Sequence, residues 1–214
     1  MITVYLVDDH ELVRTGIRRI LEDEPGIKVI GEAADGETAV QWSRKNEADV
    51  ILMDMNMPGM GGLEATRKIL RYQNHARIIV LTIHTENPFP TKVMQAGASG
   101  YLTKGAKPPE VIQAIRQVAV GQRYLSPEIA QQMALSQFNQ KDENPFKALS
   151  ERELQIMLMI TNGEKVNDIS TCLNLSPKTV NSYRYRLFTK LKVSGDVELT
   201  RLAIRYKILD TGQF

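Results

Sequence analysis

Short apolar runs rich in β-branched residues alternate with segments of helical period through the first half of the chain. The runs predict strands at 3–7, 27–33, 50–53, 78–81 and 100–102. The segments between and after them predict helices at 12–22, 36–45, 62–72, 88–95 and 108–120. Strands joined by helical crossovers form a parallel sheet covered on both faces, so the pattern predicts a doubly wound α/β domain with a five-stranded parallel sheet.

The pattern changes after Gly121. An amphipathic segment opens at Ser126-Pro127-Glu128 and runs to about Phe138, and a polar stretch without apolar period follows at 139–145. We interpret 123–145 as a linker that contains a helix. Four short helical patterns and no strand pattern follow, which predicts an all-α second domain over 146–214 and leaves 1–122 as the first domain.

Length and composition agree with this division. A chain of 214 residues is long enough for two modest domains, each with its own core. No apolar run approaches the roughly 18 residues of a membrane helix, and no basic-then-apolar leader follows Met1, so we expect a cytoplasmic protein that does not enter the membrane. The single cysteine, Cys172, has neither a disulfide partner nor a neighbouring ligand set, which favours a small buried residue.

Polar residues follow the predicted strands, at the edge where α/β sheets place their ligand sites. Asp8 and Asp9 follow the first strand, Asp54 the third, Thr82 the fourth and Thr103-Lys104 the fifth. In a sheet ordered 2-1-3-4-5 these side chains lie close together. Three carboxylates suit a hard cation such as Mg²⁺, and a lysine beside them faces an anion. These are the groups that phosphoryl transfer to an aspartate requires, and Asp54 is the candidate nucleophile.

Two other interpretations of the acidic residues remain open. Each carboxylate, taken alone, is typical of a helix cap or a solvated turn. A Mg²⁺-dependent phosphatase or other hydrolase would also place an aspartate nucleophile after a strand. Such an enzyme would need a second in-line carboxylate and a cap domain, and we find neither in the sequence.

The same residues resemble the motifs of receiver domains of two-component response regulators, over about 2–122. The motifs are the pair Asp8-Asp9, the run Asp54-Met55-Asn56-Met57-Pro58 followed by Gly62, and then Thr82, Tyr101 and Lys104. The resemblance implies a flavodoxin-like fold, phosphorylation of Asp54, and a signalling protein that catalyses only its own phosphorylation and dephosphorylation. It also implies that Asp9, Asp54 and the backbone carbonyl of Asn56 bind Mg²⁺ directly, with Asp8 acting through water.

The resemblance further assigns a switch to the first domain. Lys104 would pair with the phosphoryl oxygens, Thr82 would donate a hydrogen bond to the phosphate, and Tyr101 would turn inward behind it. A packed aromatic at a strand edge is the alternative for Tyr101. Ile83 departs from the smaller residue that many receivers carry after the hydroxyl, which bears on how easily water reaches the phosphate.

The second domain opens on a helix-turn-helix pattern. Ser150 and Glu153 fit a capping box at the start of a scaffold helix, and Asn162-Gly163 ends that helix. A short helix follows at 166–173, and Ser176-Pro177 begins a third helix, with the serine at the cap and the proline in the first turn.

The third helix has an apolar face and a polar, basic face. Val180, Leu187 and Leu191 recur at helical spacing on the core side, with Tyr183 at the border. The stretch 169–195 contains five cationic and no acidic side chains. Polar tips between cations suit the base edges and phosphates of the major groove. The candidate DNA-binding residues are Lys178, Thr179, Asn181, Ser182, Tyr185, Arg184, Arg186 and Lys190.

Three sequence segments of this domain resemble the LuxR/FixJ type of helix-turn-helix, and this resemblance makes double-stranded DNA the expected partner. They are Leu149-Ser150-Glu151-Arg152-Glu153, Ile169-Ser170 and Ser176-Pro177-Lys178-Thr179-Val180. Tyr183 departs from the histidine common at its position, and we interpret it as a packing residue. A module that binds protein instead of DNA remains the alternative, and salt-dependent DNA binding would separate the two.

The whole chain resembles the NarL/FixJ family and, within it, the GacA/UvrY/VarA group, which the segments 81–88 and 149–191 suggest. The resemblance implies that a sensor histidine kinase of hybrid type, or its phosphotransfer domain, supplies the phosphate. It implies that an activated homodimer acts with RNA polymerase at promoters, including those of small regulatory RNAs. The predicted last helix, 196–208, has apolar residues on two sides. Leu199, Leu202 and Tyr206 lie on one side, and Val197, Ile204 and Ile208 lie on the other. The second side is a dimer seam or is buried under the linker.

Overall fold

The computed structural model describes residues 1–83, 88–138, 144–206 and 208–209. They belong to two compact units, Met1–Phe138 and Asn139–Phe214. Most of the predicted polar stretch, at 139–143, and the middle of the group-specific segment, at 84–87, lie outside the described residues.

The first unit is a parallel sheet whose strands alternate with helices. Its strands are β1 (Ile2–Val7), β2 (Ile27–Ala33), β3 (Val50–Asp54), β4 (Ile78–Thr82), β5 (Gly100–Thr103) and β6 (Tyr124–Leu125). Its helices are α1 (Glu11–Glu22), α2 (Gly36–Ser43), α3 (Gly61–Tyr72), α4 (Phe89–Gln95), α5 (Pro108–Ala119) and α6 (Pro127–Phe138). The strands pair in the order β2-β1-β3-β4-β5-β6, all in parallel. The predicted α/β class and the order 2-1-3-4-5 are confirmed.

The sixth strand corrects the prediction of a five-stranded sheet. Strand β6 pairs in parallel with β5, and it has only two residues, too few for alternation to reveal it in the sequence. Tyr124 of β6 is buried with the core of the sheet, and Ile129 of α6 is fully buried. The segment 123–138, which we assigned to the linker, is therefore part of the first unit.

Successive residues of a strand point to opposite faces of the sheet, and helices pack against both faces. On one face Leu6 and Leu52 share a core cluster with Leu21 of α1 and Ile115 of α5. On the other face Tyr5 stacks on Trp42 of α2, with ring centroids 3.8 Å apart. The carboxyl edge, where the strands end, is left for polar side chains.

The regular elements among the described residues of the second unit are all helices, as predicted. A 3₁₀ turn at Pro145–Ala148 precedes α7 (Glu151–Thr161), α8 (Val166–Leu173), α9 (Pro177–Leu191) and α10 (Asp196–Arg205). The capping box is confirmed: the Glu153 N–H donates to Ser150 Oγ at 3.2 Å, and the Ser150 N–H donates to Glu153 Oε2 at 2.8 Å. Ser176 caps α9, its Oγ accepting the N–H of Thr179 at 3.1 Å.

Helix α10 is shorter than predicted and ends at Arg205. It buries Leu199 and Ala203, while Val197 is 67% exposed. Ile208, which we placed on the same side as Val197, lies beyond the helix end and is buried. The residues of the predicted second apolar side thus differ in burial, because Val197 is exposed, Ile204 is half-buried and Ile208 is buried. None of the helices in the described ranges has the length and apolarity needed to cross a bilayer.

Helix α3 begins directly against the end of β3, and Gly62 makes this approach possible. The Gly62 N–H donates to the carbonyl of Met55 at 3.0 Å. A Cβ atom at Gly62 would lie 1.9 Å from the carbonyl oxygen of Asp54, so the backbone would have to shift. The turn that follows Asp54 therefore requires a residue without a side chain at this position.

We expect Gly62→Ala to destabilise the first unit by about 1–3 kcal/mol, the usual cost of overpacking. Gly16→Ala in α1 is the matched control, because a Cβ there meets no atom within 4 Å. That change should stabilise the helix by about 1 kcal/mol. Denaturant unfolding followed by the fluorescence of Trp42, the single tryptophan, measures both, and equal stability of the two variants would contradict the close approach.

Candidate functional sites

Three acidic residues and one lysine meet at the carboxyl edge of the sheet. Asp8 and Asp9 follow β1, Asp54 is the last residue of β3, and Lys104 follows β5. Because β1 and β3 are neighbours, Asp8 and Asp54 lie side by side, and Lys104 reaches them from beyond β4. Lys104 Nζ lies 2.8 Å from Asp8 Oδ2 and 2.8 Å from Asp54 Oδ2. The structure thus brings together residues that are far apart in the chain.

The carboxyl group of Asp54 is fully buried, and this burial dominates its electrostatics. Burial raises the pKa of Asp54 to about 6, with Asp8 adding to the rise and the Lys104 ammonium opposing it. The backbone N–H of Asn56 also stabilises the charged form, at 3.2 Å from Asp54 Oδ1. For Lys104, burial lowers the pKa, but the carboxylates of Asp54 and Asp8 outweigh it and the pKa is raised. One ammonium therefore faces two buried carboxyl groups.

Asp9 and His10 form the rim of the site. Asp9 Oδ1 is buried and accepts no hydrogen bond from the residues that the structure describes. The acidic ligand atoms of Asp8, Asp9 and Asp54 and a ring nitrogen of His10 all lie within 4.8 Å of one another. Carboxylate oxygens, one of them without a hydrogen bond, fit a hard divalent cation. The sequence prediction did not include His10, although its position directly after the Asp pair was an available signal.

Thr82 and Tyr101, the predicted switch residues, are joined by a hydrogen bond between their side chains. Thr82 ends β4, Tyr101 lies in the neighbouring β5, and both are fully buried. Burial raises the pKa of Tyr101 far above its usual value, with the bond to Thr82 opposing the rise. The next residue after Thr82, Ile83, is 45% exposed. The phenol of Tyr101 is therefore inside the domain and bonded to a hydroxyl at the strand end.

Helix α9 buries one face and exposes another. Val180, Leu187 and Leu191 are buried, as their spacing predicted. On the other side Tyr185 is 68% exposed. The predicted base-reading residues around it, Lys178, Asn181 and Ser182, are exposed or half-buried. Thr179 takes part in the helix cap, its hydroxyl 2.8 Å from that of Ser176.

Two of the predicted DNA-binding cations form ion pairs inside the second unit. Arg184 binds the carboxylate of Asp196 with Nε, at 2.8 Å, and with Nη2. Lys190 Nζ donates to Glu153 Oε2 at 2.7 Å and to the carbonyl of Ala148 at 3.2 Å. These pairs connect α9 to α10 and α7. The acidic partners lie 12 and 37 residues away in the chain, so helical spacing could not reveal them.

Arg186 differs from these two cations. It is exposed, and its guanidinium carbon lies 5.0 Å from the ring centroid of Tyr183. Tyr183 is half-buried at the border of the core, which agrees with a packing role. Contact with an aromatic face leaves the guanidinium N–H groups available to an anion.

Two protein families match the chain, one in each unit. The response regulator receiver domain matches residues 4–116, and the luxR family of bacterial regulatory proteins matches residues 147–203. The response regulator UvrY of Escherichia coli is 70% identical over 207 residues, which cover 96% of this chain and 95% of that protein. The response regulator GacA of Pseudomonas aeruginosa is 57% identical over 211 residues, which cover 98% and 99%.

Solved structures show the same two-part architecture. RcsB of Salmonella enterica serovar Typhimurium, bound to promoter rprA in the presence of the phosphomimetic BeF₃⁻, matches with a TM-score of 0.76 and 25% identity. The match covers 94% of this chain and 97% of that one. The chain therefore belongs to the NarL/FixJ family of two-component response regulators, which join a receiver domain to a LuxR-type helix-turn-helix domain, and within that family it matches the UvrY/GacA group.

Proposed function

We propose that this response regulator accepts a phosphoryl group on Asp54 and thereby controls the binding of α9 to promoter DNA. The observation that carries the proposal is the buried carboxyl group of Asp54 at the end of a central strand, 2.8 Å from the Lys104 ammonium. A buried carboxylate beside a fixed cation is both a nucleophile and a place where added phosphoryl charge is compensated.

In the transfer step an oxygen of Asp54 forms a bond to phosphorus while the bond between phosphorus and the donor histidine nitrogen breaks. Lys104 already contacts Asp54 and pairs with an oxygen of the arriving phosphoryl group. Asp9, Asp54 and the backbone carbonyl of Asn56 would hold Mg²⁺, with Asp8 acting through water. The ion, when bound, supplies positive charge for the phosphoryl oxygens.

Thr82 and Tyr101 are proposed to report the phosphorylation. A phosphate on Asp54 offers strong acceptors to the Thr82 hydroxyl, which is now bonded to Tyr101. Redirecting that hydroxyl changes the partner of a fully buried phenol, and the packing around Tyr101 must respond. Ile83 directly follows Thr82 in the chain, and its exposed side chain would affect the access of water to the phosphate.

The proposed partners follow from the family. A sensor histidine kinase of hybrid type, or its phosphotransfer domain, would supply the phosphate. The regulator would act in the cytoplasm as a homodimer, with RNA polymerase, at promoters that include those of small regulatory RNAs. RcsB, which resembles the chain over both domains, has been seen on promoter DNA.

On DNA, the exposed face of α9 is proposed to read bases and its free cations to bind phosphates. Lys178, Asn181, Ser182 and Tyr185 offer ammonium, amide, hydroxyl and phenol groups on that face. Arg186 is proposed as a phosphate contact. Arg184 and Lys190, which we also predicted as phosphate contacts, are held by Asp196 and Glu153 and are proposed to contribute mainly by positioning α9.

Asp54→Asn should abolish labelling by acetyl phosphate in the presence of Mg²⁺, because the amide preserves the shape but cannot form the acyl phosphate. Asp9→Asn should slow labelling severely through loss of a metal ligand. Asp35→Asn is the control, since Asp35 caps α2 after a neighbouring strand and is not part of the site. Mass spectrometry of the intact protein measures the added phosphate, and full labelling of Asp54→Asn would exclude the assignment.

The raised pKa of Asp54 predicts how stability depends on pH in the absence of divalent metal. The folded protein binds this proton more tightly than the unfolded chain, so the free energy of unfolding should fall as pH rises through the window from 3.8 to about 6. The contribution of Asp54 over that window is on the order of 3 kcal/mol. Unfolding at several pH values with EDTA should show this fall in the wild type and in Asp35→Asn but not in Asp54→Asn. A rise attributable to Asp54 would contradict the direction of its pKa.

The ion pairs of the second unit predict that three cations of α9 behave differently on DNA. Arg186→Ala should reduce the slope of log affinity against log salt concentration by about 1, the value for one lost phosphate contact. Lys190→Ala and Arg184→Ala should leave that slope nearly unchanged but lower the melting temperature, because Glu153 or Asp196 loses its partner. DNA titrations at several salt concentrations, with thermal unfolding, separate the two classes. If all three variants lost the same amount of salt dependence, the ion pairs of Arg184 and Lys190 would open on DNA and the prediction would be wrong.

A further inference from the structure

The imidazole of His10 lies at the acidic site, and the proposed phosphate chemistry does not use it. His10 Nδ1 is 2.9 Å from Asp9 Oδ1 and 3.3 Å from Asp8 Oδ1. We propose that His10 is a metal ligand that allows the site to bind a divalent transition-metal ion, of the Co²⁺, Ni²⁺ or Zn²⁺ kind, in competition with Mg²⁺. This inference rests on the proposed function, because it concerns the same carboxylates that would hold Mg²⁺.

The distances are those of neighbouring ligands around one ion. With metal–ligand bonds of about 2.1 Å, adjacent corners of an octahedron lie about 3.0 Å apart. The contact of His10 Nδ1 with Asp9 Oδ1, at 2.9 Å, is close to this value. Although Asp9 Oδ1 is close to Nδ1, it accepts no hydrogen bond from the described residues. The nitrogen and the oxygen therefore lie at a distance that a shared cation can span.

The backbone holds His10 in this position. Its N–H donates to Asp8 Oδ1 at 2.8 Å, and its carbonyl accepts the N–H of Arg14 at 3.0 Å in the first turn of α1. The side chain of His10 is 48% exposed, so an ion can reach the imidazole from solvent. A ligand with a fixed backbone and an accessible ring loses little freedom when it binds.

The chemistry of the donor set determines which ions gain from His10. Mg²⁺ prefers oxygen ligands and keeps several waters, so it gains little from an imidazole. Affinity for nitrogen-containing sites rises along the first-row metals toward Cu²⁺, and Co²⁺, Ni²⁺ and Zn²⁺ bind imidazole well. His10 therefore shifts selectivity toward these ions, while Asp9 and Asp54 bind ions of both classes directly and Asp8 binds them through water.

The test compares Co²⁺ and Mg²⁺ binding to the metal-free full-length protein at neutral pH. Isothermal titration gives the two dissociation constants for the wild type, for His10→Gln and for His75→Gln. His75 is the matched control, because it also lies beside a carboxylate, 3.5 Å from Glu47, but away from the site. The visible absorption of bound Co²⁺ reports whether a nitrogen ligand is present.

In His10→Gln the ratio of the Co²⁺ to the Mg²⁺ dissociation constant should rise at least about tenfold, since even the loss of an outer-shell partner costs 10–100-fold in metal affinity. The absorption band of Co²⁺ should also change, and His75→Gln should match the wild type. An unchanged ratio in His10→Gln, or the same change in His75→Gln, would overturn the proposal. So would strong Co²⁺ binding that survives Asp9→Asn, because the ion would then bind elsewhere.

Failure of this inference is distinguishable from failure of the proposed function. If the wild type is labelled on Asp54 with Mg²⁺ but His10→Gln keeps the wild-type selectivity, only the role of His10 is wrong. If Mg²⁺ neither binds nor supports labelling in the wild type, the proposed phosphoacceptor site is wrong, and the role of His10 in that site is overturned with it.

Discussion

The contact of the Lys104 ammonium with the carboxylates of Asp8 and Asp54 is the interaction on which the chemistry of the first unit depends. Two nearly inaccessible carboxyl groups share one cation, at 2.8 Å from each. Taking such charges out of water costs several kcal/mol per ion, and one ammonium cannot compensate two carboxylates fully. The site therefore gains free energy from any additional positive charge, which a divalent cation provides. Burial, to which the carboxylate of Asp8 adds, raises the pKa of Asp54 despite its contact with Lys104.

This contact is a product of the strand order. Residues 8, 54 and 104 are far apart in the chain, and they meet because β1, β3, β4 and β5 are successive neighbours whose carboxyl ends share one edge. Apolar layers pack against both faces of the sheet, and this packing fixes the positions of the strand ends that carry the charges. At Gly62 the start of α3 lies against the Asp54 carbonyl, closer than any side chain would allow. The backbone around Asp54 is thus determined by packing that contains no charge.

The sequence was sufficient to predict the acidic site because each of its residues directly follows an apolar run of clear length. The strands β1 and β3–β5 were therefore found, and Asp8, Asp54 and Lys104 with them. It was not sufficient for β6, since two residues show no period and their pairing with β5 depends on the completed sheet. Nor could it separate the cations of α9. Arg184, Arg186 and Lys190 look alike in the sequence, and only the folded unit places Asp196 and Glu153 beside two of them.

Strand β6 also has a consequence for Thr82 and Tyr101, the proposed switch residues. Tyr101, whose hydroxyl is bonded to Thr82, is paired through its backbone with Leu125 of β6. The N–H of Ser126 points to the Tyr101 carbonyl at 3.4 Å, and Ser126 in turn accepts the N–H of Ala130 in the first turn of α6. A backbone shift at Tyr101 must therefore either move the start of α6 or break these bonds. Leaving these hydrogen bonds unmade in a partly buried strand costs free energy, so a joint movement of Tyr101 and the start of α6 costs less than breaking the bonds. Helix α6, which precedes the second unit, is in this way connected to Tyr101 by main-chain hydrogen bonds, and Tyr101 is connected to Thr82 by the bond between their side chains.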